Sequence, residues 1–174
     1  MLRKGNETLR IEDIKLSIDP SKPCVFMGIG APGSGKTYIL EQLANEFDIP
    51  RIGSDDIREE LTGSASSQHI NRQVFEVLNG RVEKRLQSGL SVIVDATHAE
   101  AWRRPNQISA YRNMGANTVI GIWITADFAT CLHRNAERNR IVPELAVRKK
   151  HNALENMPPS AEEGFDEVVI IENN

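Results

Sequence analysis

The sequence predicts a parallel α/β sheet with helices packed on both faces. Three observations carry that expectation. Short apolar runs with strand character alternate along the chain with stretches whose apolar residues recur at helical spacing. The run Leu90-Ser91-Val92-Ile93-Val94-Asp95 is apolar enough to be buried on both sides, as parallel strands are. One strand-to-helix junction reads Gly30-Ala31-Pro32-Gly33-Ser34-Gly35-Lys36-Thr37, the G-x-x-x-x-G-K-T pattern of a phosphate-binding loop.

Residues 8–18 alternate in part (Leu9, Ile11, Ile14, Leu16, Ile18) and suggest one or two short strands at the sheet edge. A turn over Asp19-Pro20-Ser21-Lys22-Pro23 ends them. Cys24–Ile29 is the first core strand, and the glycine-rich loop follows it. A phosphate chain must approach that backbone closely, and side chains at Gly33 and Gly35 would obstruct it. Glycine also admits the positive φ that turns successive N–H groups into a concave nest. A helix from Lys36 through Phe47, apolar at 39, 40, 43, 44 and 47, points its free N–H groups and positive end at the same phosphates. Lys36 adds a mobile charge for the β and γ oxygens, and Thr37 offers a hydroxyl to magnesium.

Ile49–Gly53 reads as a second strand, and Ser54-Asp55-Asp56 opens a helix beyond it. Gly63–Ser67 is a small, polar loop. From Gln68 to Gln87 the spacing predicts one long helix, with Ile70, Val74, Leu78, Val82 and Leu86 on one face. Gly80 weakens it by about 1 kcal/mol relative to alanine. Leu90–Asp95 is the third strand. A helix within 99–114 either starts near Pro105 or kinks there. Thr118–Ile124 is the fourth strand, and Asp127 begins a helix expected to run through Arg138. Pro143 suits the first turn of another helix, to Asn156, and Glu167–Ile171 is the last strand.

In open α/β sheets the ligand site lies beyond the carboxyl ends of the strands. Besides the phosphate loop, two strand ends carry suitable groups. Asp55 follows the second strand, with Arg58 three residues on and so on the same helix face. A carboxylate there can take a proton from an attacking hydroxyl while the arginine holds an anionic part of the acceptor. Asp56 reads as structural. Asp95 ends the third strand, where a carboxylate can orient magnesium directly or through water. Thr97 and His98 are candidates to line the acceptor site. Arg134 and Arg138 stand four residues apart, predicting one helix face, and Arg140 follows. Arginines on a closing segment can stabilise the charge that spreads over a transferring phosphoryl group. Arg72, Arg81, Arg85, Arg103 and Arg104 are candidates for a basic rim, against an ordinary surface role. Trp102 and Trp123 are expected to pack, not to stack on bases.

At 174 residues the chain suits one domain, and 40% hydrophobic with 26% charged residues is ordinary for a soluble globular protein. A net charge of −3 argues against general attraction to nucleic acid. Cys24 and Cys131 are isolated, and the four histidines are scattered, so neither a disulfide framework nor a metal cluster is readable. No apolar run approaches a membrane span, and the N-terminus lacks a signal-peptide core. A cytoplasmic location is the expectation.

Several motifs appear in one order: Gly30 to Thr37, Ser54-Asp55-Asp56-Ile57-Arg58, Val94-Asp95-Ala96-Thr97, Arg134 with Arg138, and Glu163-Gly164-Phe165-Asp166-Glu167-Val168. Over residues 24–171 the chain thereby resembles the P-loop kinases related to the 5′-hydroxyl kinase domain of phage polynucleotide kinase. The resemblance implies a P-loop NTPase kinase fold with a five-stranded parallel core, expected over 23–174, while the alternation within 8–18 marks 1–22 as an N-terminal β extension packed on the sheet. It implies ATP as donor with Mg2+. Residues Gly30, Ala31, Pro32, Gly33, Ser34, Gly35, Lys36 and Thr37 would bind ATP, with Arg134 and Arg138 as lid arginines. Asp55 would be the general base, Arg58 an acceptor-phosphate ligand, and Thr37 with Asp95 the magnesium residues. His98 stands where relatives commonly have Asn, and a flexible lid is expected near Asn139.

The expected activity is transfer of the γ-phosphoryl of ATP to a hydroxyl, first a 5′-OH of DNA or RNA. Kinases of small molecules, of tRNA-linked groups and of nucleotide sugars share the scaffold. An NTP-hydrolysing switch and an ATP-binding module are the readings of a different class. No N-K-x-D guanine motif supports a GTPase, and intact Lys36, Thr37 and Asp55 argue against a module without turnover.

Overall fold

A computed structural model describes residues 21–138 and 140–174. The expected N-terminal extension, but for its last two residues, and the lid position Asn139 lie outside the described residues. The strands are β1 Cys24–Ile29, β2 Arg51–Gly53, β3 Val92–Asp95, β4 Thr118–Thr125 and β5 Glu167–Glu172. They form one five-stranded sheet in the order β2-β3-β1-β4-β5, parallel throughout. The helices are α1 Lys36–Phe47, α2 Ser54–Thr62, α3 Asn71–Gln87, α4 Arg104–Asn113, α5 Phe128–Ala136 and α6 Glu144–Asn156.

All six residues of β1 are buried, because the strand is paired on both edges and covered on both faces. Val25, Met27 and Ile29 enter one core with Val74, Leu78, Val82, Ile108, Cys131 and Val147 of the helices. Cys24 and Phe26 enter the other, where Leu40 and Leu43 of α1 meet Ile93, Ile120 and Ile122. Each such aliphatic side chain contributes about 1.5–3 kcal/mol by leaving water. From β1 the chain first moves to β2 and β3 on one side, then crosses to β4 and β5 on the other. The carboxyl end of β1, where the phosphate loop begins, therefore sits at the topological switch point.

Two elements are shorter than their periodicity predicts. Gln68–Ile70 is a 3-10 turn, and α3 starts at Asn71. The side chain of Asn71 accepts a hydrogen bond from Arg58 Nη2 at 2.8 Å, which ties this start to α2. Helix α5 stops at Ala136, and Arg138 lies in a bend beyond it. The cause is Asn135, 4% exposed. Its carboxamide donates to the Val142 carbonyl at 2.8 Å and accepts from the Val142 N–H at 3.0 Å, folding the chain back before another turn can form. The expectation that Arg134 and Arg138 share a helix face is therefore overturned. Near Pro105, by contrast, the helix starts instead of kinking, with proline in its first turn.

Candidate active site

The phosphate loop turns on two glycines in the left-handed region, Gly33 at φ 85° and Gly35 at φ 82°. A Cβ on Gly33 would lie 2.1 Å from the Cys131 carbonyl oxygen, and one on Gly35 would lie 2.2 Å from Asn173 Nδ2. At Gly33 both φ and the Cys131 backbone demand glycine, and at Gly35 φ does. Helix α1 begins at Lys36 directly after them, leaving its first N–H groups to face the loop. Ser34 Oγ is buried with no partner among the described residues.

Lys36 Nζ pairs with Asp95 Oδ1, and Arg51 Nη1 donates to Asp95 Oδ2 at 2.9 Å. Asp95 is 5% exposed. Burial opposes its ionisation, but the Lys36 ammonium, the Thr37 hydroxyl and Arg51 outweigh burial and keep the carboxyl below its ordinary range. Arg51 was not anticipated. It lies in β2 two residues before Gly53, and a Cβ on Gly53 would fall 2.5 Å from its guanidinium. A charged residue within a strand, spaced from a glycine by the strand period, was the available signal. Arg51 also pairs with Asp56 at 2.8 Å, which fits the structural reading of Asp56.

Thr97 and His98 lie just past β3, against the phosphate-loop strand. The Thr97 carbonyl accepts from Gly30 N–H at 3.2 Å, and His98 Nδ1–H donates to the Gly28 carbonyl at 2.7 Å. Burial, with some help from the nearby Lys36 charge, pushes the His98 pKa down to about 4. The ring is neutral at pH 7 with Nε2 as its acceptor. His98 sits at φ 45°, a region asparagine enters more readily.

Beyond β2, Asp55 opens α2 with both carboxylate oxygens engaged. Arg58 Nη1 donates to Oδ1 at 2.5 Å, and Arg140 Nη1 lies 2.5 Å from Oδ2. Arg58 is 4% exposed, and its Nε has no partner among the described residues. The pairing of Asp55 with Arg58 follows from helical spacing. The arrival of Arg140 does not, because it depends on the fold-back set by Asn135.

The two arginines expected over the donor phosphates separate. Arg134 Nη1 donates to the Asn173 carbonyl at 2.6 Å, and Asn173 Nδ2 donates to the Ser34 carbonyl at 2.9 Å. Arg134 thus stands beside the phosphate loop through a residue that sequence reasoning missed. Arg138 is exposed, with no side-chain partner among the described residues.

The basic rim does not form. Arg81 pairs with Glu60, Arg72 with Glu76 and Arg103 with Glu100, while Arg85 donates to the Ser91 carbonyl. Arg104 is fully buried, bound to both oxygens of Glu163 and to the carbonyls of His98, Ala99 and Met157. Glu163 is thereby a structural member of its motif, as is Asp166, which accepts from Val119 N–H and Arg112. Trp123 packs against the core as expected. Trp102 does not: it is 69% exposed, with the Arg103 guanidinium 4.7 Å from its ring centre. The turn at 101–103 precedes α4 instead of belonging to it, so no helix face carries the ring inward.

Among the described residues no group of three His, Cys, Asp or Glu forms a metal cluster, and no helix is long and apolar enough to cross a membrane. The donor set nevertheless fits a nucleotide with magnesium. A hydroxyl and a carboxylate suit an ion that keeps most of its waters, and the nest, Lys36 and the orphaned Ser34 hydroxyl suit a phosphate chain.

Comparison with known proteins locates the architecture. A chain of the Pnkp1/Rnl/Hen1 RNA repair complex matches with a TM-score of 0.70 at 21% identity, over 87% of this chain and 49% of that one. This chain therefore spans about half the length of that relative. A gluconokinase from Sinorhizobium meliloti 1021 matches with a TM-score of 0.56 at 17% identity, over 88% and 83% of the two chains. A shikimate kinase from Bacteroides thetaiotaomicron matches at 0.55 and 14%, over 85% and 86%. No curated protein matches the sequence. The fold is the α/β P-loop kinase fold that the resemblance implied. A family model described as AAA domain matches residues 25–157, most of the chain, and the chain belongs to that family.

Proposed function

We propose that the protein is an ATP-dependent phosphotransferase that moves the γ-phosphoryl of ATP to a hydroxyl. The observation that carries this reading is the placement of two charge clusters after the carboxyl ends of neighbouring strands of one parallel sheet, with Arg51 paired to Asp95 beside the first and to Asp56 beside the second. One is Lys36, Thr37 and Asp95 at the phosphate loop, and the other is Asp55 with Arg58 on α2. Gly30 through Thr37 cradle the phosphates, and Lys36 leaves Asp95 to follow the β and γ oxygens. Thr37 and Asp95 would hold magnesium, which would supply neutralisation of charge on those oxygens. Asp55 takes the proton of the acceptor hydroxyl as its oxygen bonds to the γ-phosphorus. The bond from that phosphorus to the bridging oxygen breaks, and ADP leaves with the electron pair. Arg134 and Arg138 serve the donor phosphates, with Arg138 swinging in from its exposed bend. Arg58 holds the acceptor, and Thr97 and His98 shape the space beside it.

The favoured acceptor is a 5′-hydroxyl of DNA or RNA. Two things support this choice: the motif order over residues 24–171, and similarity to a chain of an RNA repair complex. Gluconokinase and shikimate kinase share the fold, so a small-molecule hydroxyl is the competing acceptor.

The test is transfer of labelled γ-phosphate from ATP-Mg to a panel of 5′-OH DNA and RNA oligomers, tRNA, nucleosides and sugars. Asp55→Ala is the control. Label on oligomer ends, reduced about 10²–10⁴-fold in the control, is the expected result, since general bases contribute that much. Label on a sugar alone leaves the phosphotransferase reading and removes the nucleic acid. A control that transfers within tenfold of wild type removes Asp55 as base.

A further inference from the structure

We propose that Arg51 is a positioning residue that frees Lys36 to leave Asp95 for the phosphates of a bound nucleotide. This inference rests on the phosphate loop as an ATP site and is independent of the acceptor. Arg51 lies on the edge strand β2, in register with Ile93 of β3, while Gly53 is in register with Asp95. Residues 51 and 53 share a sheet face. The arginine side chain therefore runs along β2 past a glycine, which has no Cβ in its path, and ends at Asp95. There Nη1 donates to Oδ2 at 2.9 Å. Nη2 lies 2.8 Å from Asp56 Oδ2 and 3.2 Å from Glu41 Oε1. Carboxylates from β3, α2 and α1 thus hold one guanidinium in place.

Asp95 divides its two oxygens between a mobile cation and a fixed one. Lys36, on Oδ1, is a point charge on a flexible four-carbon stem and can move to the β and γ oxygens of ATP. Arg51, on Oδ2, stays behind, because Asp56 and Glu41 hold it. When Lys36 departs, a buried carboxylate loses one of its two cations. Were there no second cation, the departure would leave a buried charge unpaired, which is strongly unfavourable. Arg51 removes most of that cost by remaining on Oδ2, and Oδ1 is left open. The exchange is ionic and forms or breaks no covalent bond. A magnesium ion arriving with the nucleotide would give Asp95 another cation. Arg51 therefore matters most for a nucleotide that arrives without one.

The test is calorimetric binding of ATP, once with excess Mg2+ and once with a chelator in its place. Wild type, Arg51→Gln and Arg51→Lys are compared, with melting curves to verify that each variant folds. Wild type is expected to bind ATP under both conditions. Arg51→Gln keeps a hydrogen-bond donor and loses the charge, so its Kd should rise about tenfold or more without Mg2+ and by less than about threefold with it. Arg51→Lys restores most of the Mg2+-free affinity. The double variant Asp95→Asn/Arg51→Gln has no carboxylate at 95 to leave unpaired. Without Mg2+ it should bind ATP within about threefold of Asp95→Asn alone. That comparison stands even where Arg51→Gln by itself fails to fold. Equal losses in Arg51→Gln with and without Mg2+ overturn the proposal and leave the ATP site standing. So does a loss that persists in the Asp95→Asn background, which assigns the arginine to the phosphates themselves. Wild type that binds ATP only with Mg2+ overturns it as well, since Arg51 then does not release Lys36. No ATP binding under either condition overturns this inference together with the ATP site beneath it.

Discussion

Under the proposed function, the donor side and the acceptor side of the site are built by different means. On the donor side, position comes from the ends of β1 and β3. Gly33 is locked by φ and by the Cys131 backbone, Gly35 by φ, and Asp95 is buried between Lys36 and Arg51. On the acceptor side, Asp55 is half-exposed at the start of a nine-residue helix, and one of its two partners comes from the α5–α6 connection. Rigid backbone suits a ligand common to many enzymes, and exchangeable side chains suit a ligand that differs between them.

The largest effect expected from this contrast separates binding from turnover. Lys36→Ala should weaken binding of ATP itself and lower transfer by at least about a hundredfold, as loss of one preorganised donor does. Asp55→Ala should lower transfer comparably yet leave the Kd for ATP within about threefold, measured by calorimetry. Equal loss of ATP binding in both variants would break the division between the two sides.

A smaller effect comes from making one change on each side. Gly33→Ala adds a left-handed alanine and a clash with the Cys131 backbone, so about 3 kcal/mol or more of stability should be lost. Gly63→Ala, at the C-terminus of α2, meets nothing within 4 Å and carries only the strain of φ 72°. It should cost about 1–2 kcal/mol, read from denaturant midpoints. Similar costs would show that the donor loop is no tighter than the acceptor helix.

The smallest effect is a pH dependence. His98 has its pKa lowered to about 4 by burial, so the fold favours the neutral ring. Its contribution is present above the ordinary value near 6.5 and is lost as pH falls toward 4. Between pH 7 and 5 the loss should be about 1–2 kcal/mol. In His98→Asn that part of the decline should vanish, because asparagine does not titrate and accepts the backbone conformation. Asp95 declines in the same direction, since its pKa is also lowered, and remains in the variant.

The sheet, its five strands and the phosphate loop were legible because each rests on a local pattern: an apolar run, a helical period, a glycine spacing. The pairing of Asp55 with Arg58 was legible for the same reason. What was not legible depends on contacts distant in sequence. Arg51 reaches Asp95 from the neighbouring strand, Asn173 reaches Ser34 from beyond the edge strand β5, and Arg140 reaches Asp55 from beyond the early end of α5. Charge patterning placed Arg104 at a rim, but a complete set of buried partners draws it inward.

The two bonds between the Asn135 carboxamide and the Val142 backbone also fix the feet of the connection between α5 and α6. Cost of loop closure depends only weakly on loop length once the ends are fixed. A change of length in the connection between these two residues therefore need not disturb the packing of α5 or α6. The connection can vary in evolution as a unit, separately from the sheet that carries the phosphate loop.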